Sequence, residues 1–191
     1  AMSVISEVKK ASPSAGVICP DFDPVRMARV YEDGGASAIS VLTDIDYFQG
    51  HPDYLKQVRD EVNIPVLRKD FIIDEIQIYE AALWGADAFL LIVAILSVAE
   101  MKQFIALGKK LGMDALVEIH DAEELQEALA ADAEIIGINN RDLRDFTVDL
   151  GLSARLSTQI SDDKIIVGES GIKGGNDVRL LKDSGCHAIL V

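Results

Sequence analysis

The sequence predicts an α/β fold, a (β/α)8 barrel of the TIM type, on three observations. Eight short apolar runs rich in Val, Ile and Leu punctuate the chain, most of them without polar alternation, as strands buried on both faces of a parallel sheet require. Seven helix-like stretches lie between them, and strand ends recur roughly every 20–35 residues, the length of one strand plus one helix. One joint also recurs: Gly-Ala-Ser-Ala at 35–38, Gly-Ala-Asp-Ala at 85–88 and Gly-Cys-His-Ala at 185–188. An open doubly wound sheet is the competing arrangement. No Gly-x-Gly-x-x-Gly follows the first strand, which weakens a dinucleotide-binding version of it.

The elements follow in order. The first strand is Val4–Val8, followed by a helix over Pro24–Asp33 and a strand over Ala38–Leu42. Asp53–Glu61 reads as a helix, Pro65–Leu67 as a strand, Glu75–Trp84 as a helix and Ala88–Val93 as a strand. Val98–Leu111 has helical spacing, with Met101, Phe104, Ile105, Gly108 and Leu111 on one side. A strand at Ala115–Val117 leads to Asp121, a helix cap whose partner three residues on, Glu124, completes a capping-box pattern before the helix Ala122–Ala131. Strands Ile135–Ile138, Ile165–Val167 and Ala188–Val191 alternate with helices Leu150–Gln159 and Asn176–Ser184. Gly34, Gly85, Gly112 and Gly185 stand where a left-handed helix terminator is wanted. The expectation is one barrel domain over residues 1–191, ending within the eighth strand and lacking a final helix.

With 191 residues, 49% hydrophobic and 26% charged, the chain has the balance of a globular domain large enough to bury a core. No apolar run reaches the length of a membrane span, since Asp87 and Ser97 interrupt the most apolar stretch at 86–98, and no basic-then-apolar leader opens the sequence. A net charge of −14 repels phosphate backbones, so neither a nucleic-acid nor a membrane partner is expected. If the substrate is an anion, the few cations that meet it must gather at one spot. Cys19 and Cys186 lie far apart and outside metal or redox spacing, as free thiols of a cytoplasmic protein would.

A barrel of this kind carries its chemistry at the carboxyl ends of the strands. Those ends here deliver Glu7 and Lys9, Lys69 and Asp70, Glu118, Asn139 with Arg141, and Glu169 with Ser170. Glu7 and Lys9 are two apart and so point to the same side. Charges continuing an apolar run must pair if they are buried. Each also has a structural reading. Lys10 reads better as a solvated loop residue. Lys69 could pair with Asp70, and Glu118 could be a structural carboxylate. Arg141 could belong to a surface lattice with Asp142, Arg144 and Asp145, and the asparagines could form turns. His120 reads as a loop histidine rather than a base, and His51 and His187 show no partner. Taken together, two lysines and two glutamates at one mouth would push each other's pKa values apart. A lysine near other cations in a dry site would be a general acid near neutrality, with a glutamate paired to it as base. The loop from Ser170 to Gly175 offers backbone N–H groups for a phosphate.

Six motifs in chain order resemble the indole-3-glycerol-phosphate synthases of tryptophan biosynthesis. They are Glu-Val-Lys-Lys-Ala-Ser-Pro-Ser at 7–14, Ser-Val-Leu-Thr-Asp at 40–44, Leu-Arg-Lys-Asp-Phe-Ile-Ile-Asp at 67–74, Val-Glu-Ile-His at 117–120, Gly-Ile-Asn-Asn-Arg-Asp-Leu at 137–143 and Glu-Ser-Gly-Ile at 169–172. The resemblance implies a decarboxylating ring closure of 1-(2-carboxyphenylamino)-1-deoxyribulose 5-phosphate by a cytoplasmic enzyme that is monomeric in the family. It implies no cofactor, no metal and no partner beyond this small phosphorylated substrate. It assigns Lys69 as general acid and Glu118 as base or helper in dehydration. It makes Lys9 the phosphate-holding and proton-transferring lysine beside Glu7. Asn139 orients the intermediate, Glu169 and Ser170 form the strand-seven group, and Gly171 lends a backbone donor to phosphate. Ser12 and Arg141 lie near the substrate carboxylate, and Phe48 and Phe71 flank the aromatic ring.

The chain departs from the family pattern in four places. It lacks a helical segment before the first strand and a Gly-x-Ser loop with a last helix after the eighth. It has Gly168 where Ser is more usual, and Gly174-Gly175 where a Thr-Pro turn is common. These departures lead to the expectation of weakened substrate binding and of self-association through a bare outer face of the eighth strand. Two rival readings remain at this point: another phosphate-binding barrel, such as an isomerase of phosphoribosyl intermediates using a carboxylate pair, and an inactive folding fragment or scaffold.

Overall fold

The computed structural model describes residues 2–142 and 144–191; Ala1, and Leu143 at the end of the fifth motif, lie outside them. Eight parallel strands close into a barrel: β1 Ser3–Val8, β2 Ala38–Leu42, β3 Val66–Lys69, β4 Ala88–Ile92, β5 Asp114–Ile119, β6 Ile135–Asn139, β7 Ile165–Glu169 and β8 Ala188–Leu190. Closure is made by β1, which pairs Ile5 with Ala38 on one side and Ser3 with Ala188 on the other. The helices are α1 Pro24–Asp33, α2 Pro52–Glu61, α3 Glu75–Leu83, α4 Val98–Lys110, α5 Ala122–Ala130, α6 Gly151–Ser157 and α7 Gly175–Asp183. None is long and apolar enough to cross a membrane.

Two apolar layers explain why the strands lack polar alternation. Leu67, Leu90, Leu116, Val167 and Leu190 point inward and fill the barrel. Their strand neighbours, such as Phe89, Leu91, Val117, Ile136 and Ile189, point outward into a layer shared with the helices. From the helices come Leu55 and Val58 of α2, Ile78 and Ala81 of α3, Met101 and Phe104 of α4, and Leu125 of α5. Gly108 of α4 is required by this packing, because the Phe89 ring stands 2.4 Å from where a Cβ would be.

Several expectations need correction. Leu111 leaves the apolar side of α4 and is 37% exposed, because the helix ends at Lys110. Gly35 rather than Gly34 takes the left-handed conformation after α1, with φ 91°. Asp121 does cap α5 by accepting from the amides of Glu123 and Glu124, but Glu124 reaches one residue further back than a capping box and accepts from the His120 amide at 2.7 Å. His51 and His187 are not idle, since their Nδ1 atoms accept from the Asp53 and Ile166 amides. The fourth apolar run divides, with Val93–Ile95 forming a 3-10 turn. A hairpin of Ala11–Ser12 with Gly16–Val17 was unforeseen. On the outer face of the eighth strand Ile189 is only 3% exposed while Val191 is 47% exposed, and the pairing runs on through Val191, whose carbonyl accepts from the Glu7 amide.

Candidate active site

The strands run longer at their carboxyl ends than their apolar residues, and the additions are the polar ones. Lys69, Asn139 and Glu169 are the last residues of β3, β6 and β7, and Glu118 is the last but one of β5. Backbone pairing continues through them, so each side chain is held on a rigid ladder and aimed at the barrel axis. Lys69, Glu118 and Asn139 open onto one cavity of about 510 Å³, within the range of small-molecule sites, and Glu169 lies buried behind Lys69.

An ion network fills its floor. Glu7, almost fully buried, accepts from Lys9 Nζ at 2.5 Å through Oε1, and its Oε2 lies 3.3 Å from Lys69 Nζ. Lys69 Nζ also lies 3.4 Å from Glu169 Oε2. Burial opposes the charge on Glu7, but Lys69 and Lys9 outweigh it and hold the carboxyl below its usual range. Burial likewise opposes the charge on Lys69, but Glu7, Glu169 and Glu118 surround it and drive its pKa upward. That overturns one expectation. Lys69 is ringed by carboxylates rather than cations, so it is not a weakened ammonium in the resting site. Its direct partners are Glu7 and Glu169 rather than Asp70 or Glu118. Asp70 instead accepts from Thr43 at 2.6 Å and pairs at 3.0 Å with Arg68 on the outer face of β3.

The carboxylates of β5 and β7 diverge. Glu118 Oε1 accepts from Asn139 Nδ2 at 3.1 Å and lies 3.2 Å from His120 Nε2. Burial would raise its pKa, yet His120, Lys69 and Asn139 bring it down to about 2. Glu169 is 1% exposed, and its Oε1 is buried without a hydrogen-bond partner. Burial and Glu118 push its pKa up to about 8 against the pull of Lys69. Of these two neighbouring buried carboxyls, Glu118 is pushed toward the anion and Glu169 toward the acid.

The cavity wall completes the set. Ser12, in the small hairpin, accepts from the Ala15 amide. The Phe48 and Phe71 ring centroids are 6.2 Å apart, and Tyr47 meets Phe71 edge-on at 5.7 Å. Arg141 donates to the Phe146 carbonyl, whereas the neighbouring surface pair is Arg144 with Asp142. Ser170 and Gly171 take successive left-handed conformations, φ 63° and 79°, and line the cavity. Further along that loop, the Lys173 and Gly174 amides donate to Asp177 Oδ2, so only the first part of the expected phosphate cradle is open. Lys9, Lys69 and Arg141 thus gather on one cavity of an otherwise acidic chain.

The sequence model of the family described as Indole-3-glycerol phosphate synthase matches residues 1–191. The chain belongs to that family. A relative named indole-3-glycerol phosphate synthase from Desulfotalea psychrophila is 52% identical over 190 residues, covering 100% of this chain and 73% of the relative. One of the same name from Chloroherpeton thalassium is 55% identical over 190 residues, again covering 100% and 73%. Among solved structures, the N-acetylmannosamine-6-phosphate 2-epimerase of Clostridium perfringens superposes with a TM-score of 0.75 at 15% identity, covering 99% of this chain and 85% of that one. KGPDC of Streptococcus mutans gives 0.75 at 12% identity, covering 100% and 87%. At such identities these two share the fold alone. Membership of the indole-3-glycerol-phosphate synthase family makes the chain a lyase of tryptophan biosynthesis and sets aside the phosphoribosyl-isomerase reading.

All twelve residues that the synthase resemblance implied line this mouth or touch a residue that does. Tyr47 and Phe146, which also line the cavity, escaped the sequence reading, and His120, read as a loop histidine, stands against Glu118. His120 had a signal. It stands two residues after Glu118, the spacing that joined Glu7 to Lys9, and four before Glu124.

Proposed function

We propose that this mouth closes the indole ring of 1-(2-carboxyphenylamino)-1-deoxyribulose 5-phosphate, releasing carbon dioxide and water to leave indole-3-glycerol phosphate. The observation that carries the reading is Lys69, held between Glu7 and Glu169 at 3.3 and 3.4 Å on the cavity floor. The ring carbon bearing the carboxylate attacks the ribulose carbonyl, and Lys69 delivers a proton to that oxygen. Its surrounding carboxylates make Lys69 a reluctant donor, so Glu169, protonated near neutrality, reloads it. Loss of carbon dioxide returns the bonding pair to the ring. The hydroxyl then takes a proton from Lys9 and departs as water while a proton of the adjacent methylene passes to Glu118, a standing carboxylate oriented by the Asn139 donor, and the new double bond completes the indole.

The two anionic ends of the substrate explain the remaining residues. Lys9, Ser170 and Gly171 take the phosphate, the turn supplying backbone N–H groups and Lys9 the charge. Arg141 and Ser12 take the carboxylate, and Phe48 and Phe71 flank the aromatic ring. The net charge of −14 favours this local capture of a small anion over a nucleic-acid or membrane partner, in a cytoplasmic setting.

Lys69→Ala tests the reading in an indole-fluorescence assay. We expect kcat to fall by about 10²–10⁴-fold, the usual contribution of a positioned proton donor. Undiminished turnover would remove Lys69 from the mechanism.

A further inference from the structure

We propose that His120, gripped between Glu118 and Glu124, is a positioning residue that stands as an imidazolium and so places the single proton of the Glu118–Glu169 pair on Glu169. The proposal deepens the roles given above to these carboxyls and rests on them. Both ring nitrogens face carboxylates: Nε2 lies 3.2 Å from Glu118 Oε1, and Nδ1 lies 3.0 Å from Glu124 Oε2. The Nδ1 contact is a hydrogen bond, whereas Nε2 is buried without a hydrogen-bond partner and meets Glu118 as a close charge contact; a neutral imidazole would turn a lone pair toward one of the two anions, while an imidazolium turns positive charge toward both. The His120 side chain is 14% exposed and Glu118 5%, so water screens the contact little.

The grip is built by the chain. Glu124, in the first turn of α5, holds the His120 amide at 2.7 Å and the His120 ring at 3.0 Å, fixing backbone and side chain together. Other groups facing this cluster divide by side. Asn139 from β6 donates to Glu118, Lys69 from β3 is shared by the acidic floor, and Asp142 beyond β6 adds a more distant negative charge to His120. Glu169 has Lys69 but no imidazole, and its Oε1 has no donor. The cation on the Glu118 side makes Glu118 the anion, and Glu169 is left as the acid. One histidine thereby separates base from proton donor in a pair of like side chains.

His120→Gln removes the charge and keeps an amide donor. Removing a cation destabilises the doubly ionised pair most, then the singly ionised one, so both limbs of the kcat–pH profile should move to higher pH by about a unit or more. The plateau should fall by about tenfold, because the proton is no longer confined to Glu169. His120→Lys, restoring a cation, should bring the limbs back toward their native positions. Limbs that stay in place in a folded His120→Gln variant would overturn the proposal, since lost packing alone lowers kcat without moving them. A nitrogen-15 NMR titration of the unaltered protein decides the matter even if the variants do not fold. The imidazolium form is expected at neutral pH, titrating at about 10, and a neutral ring there would overturn the assignment. Neither readout depends on the Lys69→Ala result, so the two readings fail separately.

Discussion

Gly137 lies on β6 beside the buried Glu169 carboxyl, and a methyl group there would come within 2.1 Å of Glu169 Oε1. The clash is with the far end of a flexible side chain, so the backbone need not move. Gly137→Ala should leave the melting temperature nearly unchanged while swinging Glu169 away from Lys69, and kcat should fall by about tenfold or more. Parallel kinetics and thermal melts check this; a large loss of stability with normal kcat would contradict it. Some residues at this scale were legible before any coordinates. Glu118 interrupts Ala-Leu-Val and Ile, and a charge in the middle of a buried strand needs a reason. The state of each group was not legible. Whether Lys69 meets cations or anions depends on Glu7 and Glu169, which come from strands remote in the chain.

The β7–α7 connection shows what an element adds. Gly171 has φ 79°, and a Cβ would stand 2.2 Å from Val148 Cγ1 in the preceding loop. Gly171→Ala therefore meets both backbone strain and a clash, at a cost of roughly 1–3 kcal/mol. Because the same turn is proposed to hold phosphate, KM should rise more than kcat falls. Calorimetry and steady-state kinetics test both parts, and an unchanged KM would take Gly171 out of the phosphate site. The glycine richness of this loop was visible in the sequence, but its use was not. Asp177 takes the Lys173 and Gly174 amides for the start of α7, a division made by hydrogen bonds four and three residues apart. Helix limits were read to within about two residues because each has its own apolar spacing and punctuation. Strands β3, β5, β6 and β7 were read too short at their carboxyl ends, because pairing there is sustained by neighbours rather than by apolar character, while β4 and β8 were read one residue too long.

Across the whole molecule, the buried titrations set how stability depends on pH. His120 has its pKa raised from 6.5 to about 10, so its contribution is complete below the unfolded value and is lost as pH climbs toward 10. Glu169 is raised from 4.5 to about 8, and its contribution declines as pH rises between those values. Glu118 is lowered from 4.5 to about 2, so its contribution is present above 4.5 and disappears as pH falls toward 2. Between pH 6.5 and about pH 8 the first two act together, and the melting temperature should drop by about a few degrees. His120→Gln should flatten that decline. A melting temperature that rises across this interval would show that the cluster is not charged as described.

The amino-acid order alone determined the alternation of strands and helices, the barrel, and which polar groups stand at its mouth. These follow from periodicity and from charges set in apolar runs, both local properties of the chain. Tertiary structure alone decided who pairs with whom: Lys69 with Glu7 and Glu169, and Glu118 with His120. Protonation depends on distance and on exclusion of water, and both are fixed only when residues as far apart as Glu7 and Glu169 are brought to one buried floor by closure of the sheet.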